Sequence, residues 1–99
     1  MVGCYIIFSD KLNKFYIGAT QEDISLRIEK HNQSAYGNHR FTALADDWKL
    51  FLFLPANDYA HAIRLERKIK SMKSVQYIKN LIKFPELLEK LISSTRLSR

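Results

Sequence analysis

Five residues in this 99-residue chain have the types to do chemistry together: Tyr5, Tyr16, Arg27, His31 and Glu66. The two tyrosines sit in neighbouring apolar segments, and Arg27 and His31 are one helical turn apart. Glu66 is the single acid in residues 64–83, among Arg64, Arg67, Lys68, Lys70, Lys73, Lys79 and Lys83. Phosphodiester cleavage needs a group to activate water, positive charge for the developing oxyanion and usually a divalent metal. A carboxylate such as Glu66 holds a hard cation through oxygen, and the planar fork of Arg27 matches phosphate oxygens. A tyrosine or histidine becomes a base when a neighbouring cation lowers its pKa. The set is therefore sufficient in type. Motifs of other chemistries are missing: the sequence holds no P-loop, no G-x-G-x-x-G, no H-E-x-x-H and no G-x-S-x-G.

The elements that must position these residues follow from patterning. Residues 3–8 are aromatic and β-branched and predict a strand; residues 9–14 form a polar turn and residues 15–18 a second strand, together a hairpin. Gly18 ends it, where backbone freedom or a close approach is needed. A helix is expected to start at Thr20 as N-cap, with Glu22 and Asp23 in its first turn and Ile24 and Ile28 facing the core. Arg27 and His31 fall one position around from that stripe. Residues 32–38 read as a loop and residues 41–45 as a short helix. Residues 48–54 are nearly all apolar, stop at Pro55 and predict a buried central strand. Asn57 or Asp58 caps the next helix, with Ile63, Leu65, Ile69 and Met72 inward and basic residues on its other faces. Residues 74–82 predict another helix. Pro85 opens the last one, with Leu87, Leu88, Leu91 and Ile92 on its apolar face, and residues 93–99 are expected to fray.

Length and composition describe one globular domain over residues 1–99, with 46% hydrophobic and 26% charged residues. No apolar run reaches the roughly 18 residues of a membrane span. The N-terminus shows no secretory signal and the one cysteine, Cys4, makes no internal disulfide, so a cytoplasmic location is the expectation. Cys4 reads as a small buried hydrophobe. Sixteen Lys and Arg against ten Asp and Glu give a net charge of +6. Residues 1–49 carry six of each sign and cancel, while residues 50–99 carry ten basic and four acidic side chains. The whole excess lies in the second half, and it points to a polyanionic partner.

Tyr5 in the run Gly3-Cys4-Tyr5, followed by Tyr16-Ile17-Gly18, resembles the two halves of the GIY-YIG nuclease signature, with Cys4 where the name has Ile. The spacing from Gly18 through Arg27 to His31 is similar to the family's helix. Thr42 and then Trp48-Lys49-Leu50 resemble its approach to the third strand, and residues 62–70 its metal-binding helix. The resemblance covers residues 3–83 and is closest to the short single-domain bacterial and phage branch. It implies an α+β fold (an α/β sandwich), a small three-stranded antiparallel sheet flanked by helices in the order β-β-α-(α)-β-α-α-α, with a core over about 3–83 and a C-terminal helix over about 85–93. It implies a metal-dependent DNA endonuclease working through one Mg²⁺ or Mn²⁺ ion, with Glu66 as the sole protein ligand. Arg27 would stabilise the scissile phosphate, Tyr5 activate the water and Tyr16 orient water or phosphate, the last two roles being exchangeable. His31 would be a phosphate ligand or proton carrier, and Gly18 would let substrate approach the backbone. Where some relatives have Lys after the glycine this chain has Ala19, and His39 or Arg40 would replace it. Asn80 lies in a region where some members use an Asn. Arg67, Lys70 and Lys73 would add contacts to DNA.

Each residue also has a plainer reading. Tyr5 and Tyr16 can be sheet residues packing their rings, Arg27 a solvated helix residue, and His31 a histidine at a helix C-terminus. His39 and His61 read as surface histidines. Glu66 can be an i, i+4 partner of Lys70, worth about 0.3–0.5 kcal/mol. The aromatic run 48–53 reads as core, not as a base-stacking platform. Two rivals to the endonuclease remain: a non-catalytic nucleic-acid-binding module of the same fold, and an interaction domain docking through Leu87, Leu88 and Leu91. Single-stranded, branched and duplex DNA are all open as substrates. One site per chain cuts one strand at a time, as a monomer or a homodimer.

Overall fold

The computed structural model describes residues 1–34, 37 and 41–96, so His39 and Arg40 lie outside the described residues. Two strands, β1 (Gly3–Ser9) and β2 (Lys14–Thr20), form the N-terminal hairpin, followed by helix α1 (Ile24–Asn32) and a short 3₁₀ helix (Phe41–Leu44). Strand β3 (Lys49–Pro55) then leads to helices α2 (Tyr59–Met72), α3 (Val75–Lys83) and α4 (Pro85–Ser94). This is an α+β fold: a three-stranded antiparallel sheet of order β2-β1-β3, with helices packed on it. At the hairpin turn Asn13 takes the left-handed conformation (φ 53°), one of the few residue types that does so readily.

Strand alternation divides the core in two. Cys4 and Ile6 point to one face, where they pack with Leu54, Leu65, Ile69 and Leu81. Tyr5 and Ile7 point to the other, against Trp48 and Ala45 with Ile24 and Ile28 of α1 beside them. Helices α2 to α4 therefore cover the first face and α1 the second. Burial pushes the Cys4 thiol up to about 12, with the Glu66 carboxylate adding to the effect, so it stays a neutral core thiol.

Four expectations are corrected. The 48–54 segment is not the central strand: β1 holds the middle of the sheet, and β3 is an edge strand with only Leu54 buried and Leu50 45% exposed. An apolar run signals burial on both faces but not which strand takes the centre. Helix α1 is capped by Asp23, whose carboxylate accepts the Leu26 N–H at 3.3 Å, not by Thr20. Thr20 stays in β2, and its hydroxyl accepts the Glu22 N–H at 3.1 Å to shape the turn instead. Met72 is exposed, because α2 ends there with Lys73 in the left-handed cap conformation.

His61 is the fourth, fully buried instead of on the surface. Its Nδ1 accepts the Asn57 N–H at 3.1 Å, and its Nε2 faces the Ile92 carbonyl at 3.1 Å and Thr95 Oγ1 at 2.9 Å. With Arg64 Nε donating to the Thr95 carbonyl at 2.6 Å, it clasps the end of α4 onto the start of α2. That clasp carries helical order to Ser94, and Leu87, Leu88, Leu91 and Ile92 pack onto the core instead of forming a docking surface.

Because Nδ1 is already an acceptor, protonating His61 forfeits the bond from Asn57, and burial holds its pKa below the ordinary value. A folded-state pKa below the unfolded one, about 6.5, means the unfolded chain binds the proton first, so stability is complete above that pH and falls as the pH drops through it. Thermal unfolding midpoints should therefore decline below about pH 6.5, and more steeply in the wild type than in His61→Gln. Equal slopes would assign the acid sensitivity to another group.

Candidate active site

The fold assembles four of the five residues on the α1 face of the sheet. Tyr5 is fully buried at the middle of the central strand, and across the hairpin its register partner is Gly18. A Cβ at Gly18 would lie 2.5 Å from the Tyr5 phenol carbon and oxygen, so the room this glycine leaves is taken by the Tyr5 ring. The phenol oxygen accepts the Arg27 Nε–H at 3.2 Å and lies 2.8 Å from His31 Nε2. Helix α1 supplies both partners. Their i, i+4 spacing places them one above the other, so one phenol meets a cation and an imidazole together.

His31 is itself buried, 3% exposed. Its Nδ1 meets Thr42 Oγ1 at 2.8 Å, and Thr42 is buried on the 3₁₀ helix. The Trp48 indole N–H donates to the Thr42 carbonyl at 2.8 Å. Asn32, the last residue of α1, binds the Trp48 backbone twice: its Oδ1 accepts the N–H at 2.7 Å and its Nδ2 donates to the carbonyl at 3.0 Å. The end of α1, the 3₁₀ helix and the entry to β3 are thereby locked together around the imidazole. Tyr16 closes the group with its ring 5.3 Å from His31, 6.4 Å from Tyr5 and stacked on Phe41. Unlike Tyr5, it is only half-buried.

Arg27 also reaches Glu22, Nη1 to Oε2 at 3.4 Å, and Lys30 Nζ meets the other oxygen of that carboxylate at 2.9 Å. The Lys30 ammonium, and then the Arg27 guanidinium, hold the Glu22 carboxyl below the ordinary carboxylate range. Glu22 and Arg27 border a cavity of about 190 Å³ with Ala19, Thr20, Gln21 and Tyr59. Two cations already converge there on one anion.

Glu66 stands apart from the four, on α2, which covers the opposite face of the sheet. It reaches them through Lys70: the ammonium lies 2.6 Å from Glu66 Oε2 and 6.0 Å from the centre of the Tyr16 ring. The i, i+4 ion pair of the plainer reading is thus present, on a carboxylate whose side chain is 19% exposed. Among the described residues, no three His, Cys, Asp or Glu side chains gather as a metal cage. Arg67, Lys70 and Lys73 are exposed. Lys14, Lys70 and Lys73 rim a cleft of about 330 Å³ between the hairpin and the start of α3. Asn80 is half-buried and accepts a hydrogen bond from Gln76 at 2.9 Å.

Glu22 and the hydroxyl of Thr42 are the site residues that sequence reasoning missed. Glu22 precedes the helix, so its pairing with Arg27 and Lys30 follows from the turn shaped by Thr20, not from helical spacing. Thr42 lies across a loop from His31, and no periodicity connects the two.

No curated protein and no solved structure matches the chain. The family model of the GIY-YIG catalytic domain matches residues 1–78, a span that begins before β1 and includes Tyr5, Tyr16, Arg27, His31 and Glu66. The structure gives those residues a three-stranded antiparallel sheet with α1 and α2 on opposite faces. On that match and that fold, the chain belongs to the GIY-YIG nuclease family.

Proposed function

We propose that this protein is a small metal-dependent DNA endonuclease that hydrolyses phosphodiester bonds with low sequence specificity. The observation that carries the reading is the Tyr5 phenol held between Arg27 and His31. A buried phenol cannot release its proton to bulk water. His31 takes it at Nε2, and the Arg27 guanidinium stabilises the phenolate left behind. Arg27 also borders the cavity beside Glu22, where a phosphate oxygen would compete with the carboxylate for its fork. Tyr16, less buried, orients the water or the phosphate.

Glu66 fits a divalent cation by the chemistry of its donor set. Mg²⁺ retains several waters and takes one or two carboxylates plus substrate phosphate oxygens, and Glu66 is one ionised oxygen donor that already holds an ammonium. Glu66 would hold Mg²⁺ or Mn²⁺, with Lys70 released to the DNA. Such an ion, when bound, supplies Lewis-acid stabilisation of the charge that develops on the phosphate oxygens. The exposed cations of α2 and α3 surround this carboxylate with a field that gathers a phosphate backbone. Among the described residues no helix is long and apolar enough to cross a membrane.

Labelled single-stranded, duplex and branched oligonucleotides incubated with Mg²⁺, Mn²⁺ or EDTA test this reading. Cleavage should require the ion and disappear in Glu66→Ala; cleavage that persists in EDTA or in that variant contradicts the metal-ligand assignment. Binding without cleavage under every condition would mark the non-catalytic module instead. Arg27→Ala should lower the single-turnover rate by about 10²–10³ and Tyr5→Phe by about 10²–10⁴. A rate unchanged by Arg27→Ala would remove the guanidinium from the chemistry. Lys73→Ala should weaken DNA binding and reduce the slope of log affinity against log salt by about 1. A slope equal to that of the wild type would take Lys73 off the DNA path.

A further inference from the structure

We infer that the cleft between the hairpin and the start of α3 is a nucleotide subsite, which takes one unpaired nucleotide of the DNA strand beside the scissile phosphate. The inference rests on the nuclease reading of the site and deepens it by naming the state of the strand. The cleft holds about 330 Å³, at the low end of the roughly 300–1,000 Å³ of small-ligand sites. Strand alternation supplies one wall: Phe15 and Ile17 leave β2 on the face opposite Tyr16. Ile69 of α2 and Val75 and Ile78 of α3 supply the rest of the apolar lining. The Phe15 ring is held by Phe8 and Phe51, with ring centres 4.8 and 4.9 Å away. Val75 is 55% exposed, so the apolar surface is open to a ligand.

The rim is cationic. Lys14, Lys70 and Lys73 border the cleft, and no carboxylate lines it. Among the described residues Lys14 and Lys73 have no ion-pair partner, so their charge is available to a phosphate. Apolar walls under a row of cations fit a flat base carried on a phosphate chain. Lys70 joins the cleft to the catalytic group: its ammonium lies 2.6 Å from Glu66 Oε2 and 6.0 Å from the centre of the Tyr16 ring. A strand with its scissile phosphate near Tyr16 and Glu66 thus runs over Lys70 into the cleft. The polar side chains in the wall are few: Asn13, and Ser74, whose hydroxyl already accepts the Tyr77 N–H at 3.0 Å. Bases are therefore held by their faces, with little choice among them. A paired base must leave its stack before it enters, which costs least where the strand is already single. Strands with an unpaired nucleotide next to the cut are the favoured substrates.

Methyl spectra of the wild type, recorded in EDTA at one salt concentration, test the inference without reference to activity. The protein is titrated with oligothymidylate, with a wholly abasic sugar-phosphate chain of the same length and charge, and with a GC-ended duplex. The methyl signals of Ile17, Ile69 and Val75 should shift with oligothymidylate and far less with the other two. Phe15→Leu keeps an apolar side chain and loses the ring face, so it should weaken oligothymidylate about 5-fold or more, the worth of one stacked base. Its affinity for the abasic chain should stay that of the wild type. The wild-type titration decides the matter even where this variant fails to fold. Three results overturn the inference: equal shifts with the abasic chain, which leave a phosphate contact only; shifts that grow with protein concentration before DNA is added, which give the cleft to a second copy; and methyls unmoved by oligothymidylate. If the methyls respond as expected but no oligonucleotide is cleaved with Mg²⁺ or Mn²⁺, the nuclease reading fails and the cleft stands as a nucleotide site. Cleavage with unmoved methyls keeps the nuclease and removes the subsite.

Discussion

A phenol oxygen buried in the middle of the central strand must find hydrogen-bond partners within the protein, and much of the rest of the structure follows from where it finds them. Tyr5 turns its hydroxyl toward α1, where Arg27 and His31 meet it from successive turns of one helix. The neighbouring strand accommodates the ring by carrying Gly18 at the paired position. Helix α1 can hold its two polar residues inward only because Ile24 and Ile28 anchor the same helix on the apolar patch made by Ile7 and Trp48. An unpaired buried hydroxyl costs about 1–3 kcal/mol. The constraint that makes this cluster chemically useful is also one the fold has to satisfy in order to be stable.

The two faces of the sheet divide the work. One carries the two tyrosines, Arg27 and His31, with Asn32, Thr42 and Trp48 closing a hydrogen-bond network around the imidazole. The other is built on Leu65, Ile69 and Leu81, and it sets Glu66 on the basic helix beside the edge strand β2. Lys70 joins them, paired to Glu66 and lying over the Tyr16 ring. The net charge of +6, which as a number says only that a polyanion is welcome, becomes a placement. The cations flank the carboxylate, and the apolar stripes of α2 and α3 hold them outward.

What the sequence discloses of this arrangement is what depends on local spacing. The aromatic and β-branched residues of 3–8 and 15–18, parted by a polar turn, announce the hairpin, the i, i+4 pair Arg27 and His31 a shared helical face, and Pro85 the start of α4; all appear in the structure. Family resemblance adds the order of the elements, and the domain match over residues 1–78 agrees with it. What stays illegible is what depends on tertiary choice. Whether the apolar segment around Leu52 is central or at an edge is decided by which strand β1 pairs with, and no pattern within the segment records that. His61 looks like a surface residue because its partners, Ile92 and Thr95, arrive from the far end of the chain. The contact of the Thr42 hydroxyl with His31 is hidden for a different reason, since the two are joined across a loop that no periodicity spans.

The central claim is that Tyr5, enclosed between a guanidinium and an imidazole, is the group that activates water. Replacing Tyr5, and separately Tyr16, by 3-fluorotyrosine changes the acidity of one phenol at a time with almost no change of shape. The single-turnover cleavage rate is then followed across pH. The account predicts that fluorination of Tyr5 displaces the profile to lower pH while fluorination of Tyr16 leaves it in place. A profile that ignores Tyr5 and moves with Tyr16 would contradict it and give the base to the half-buried tyrosine.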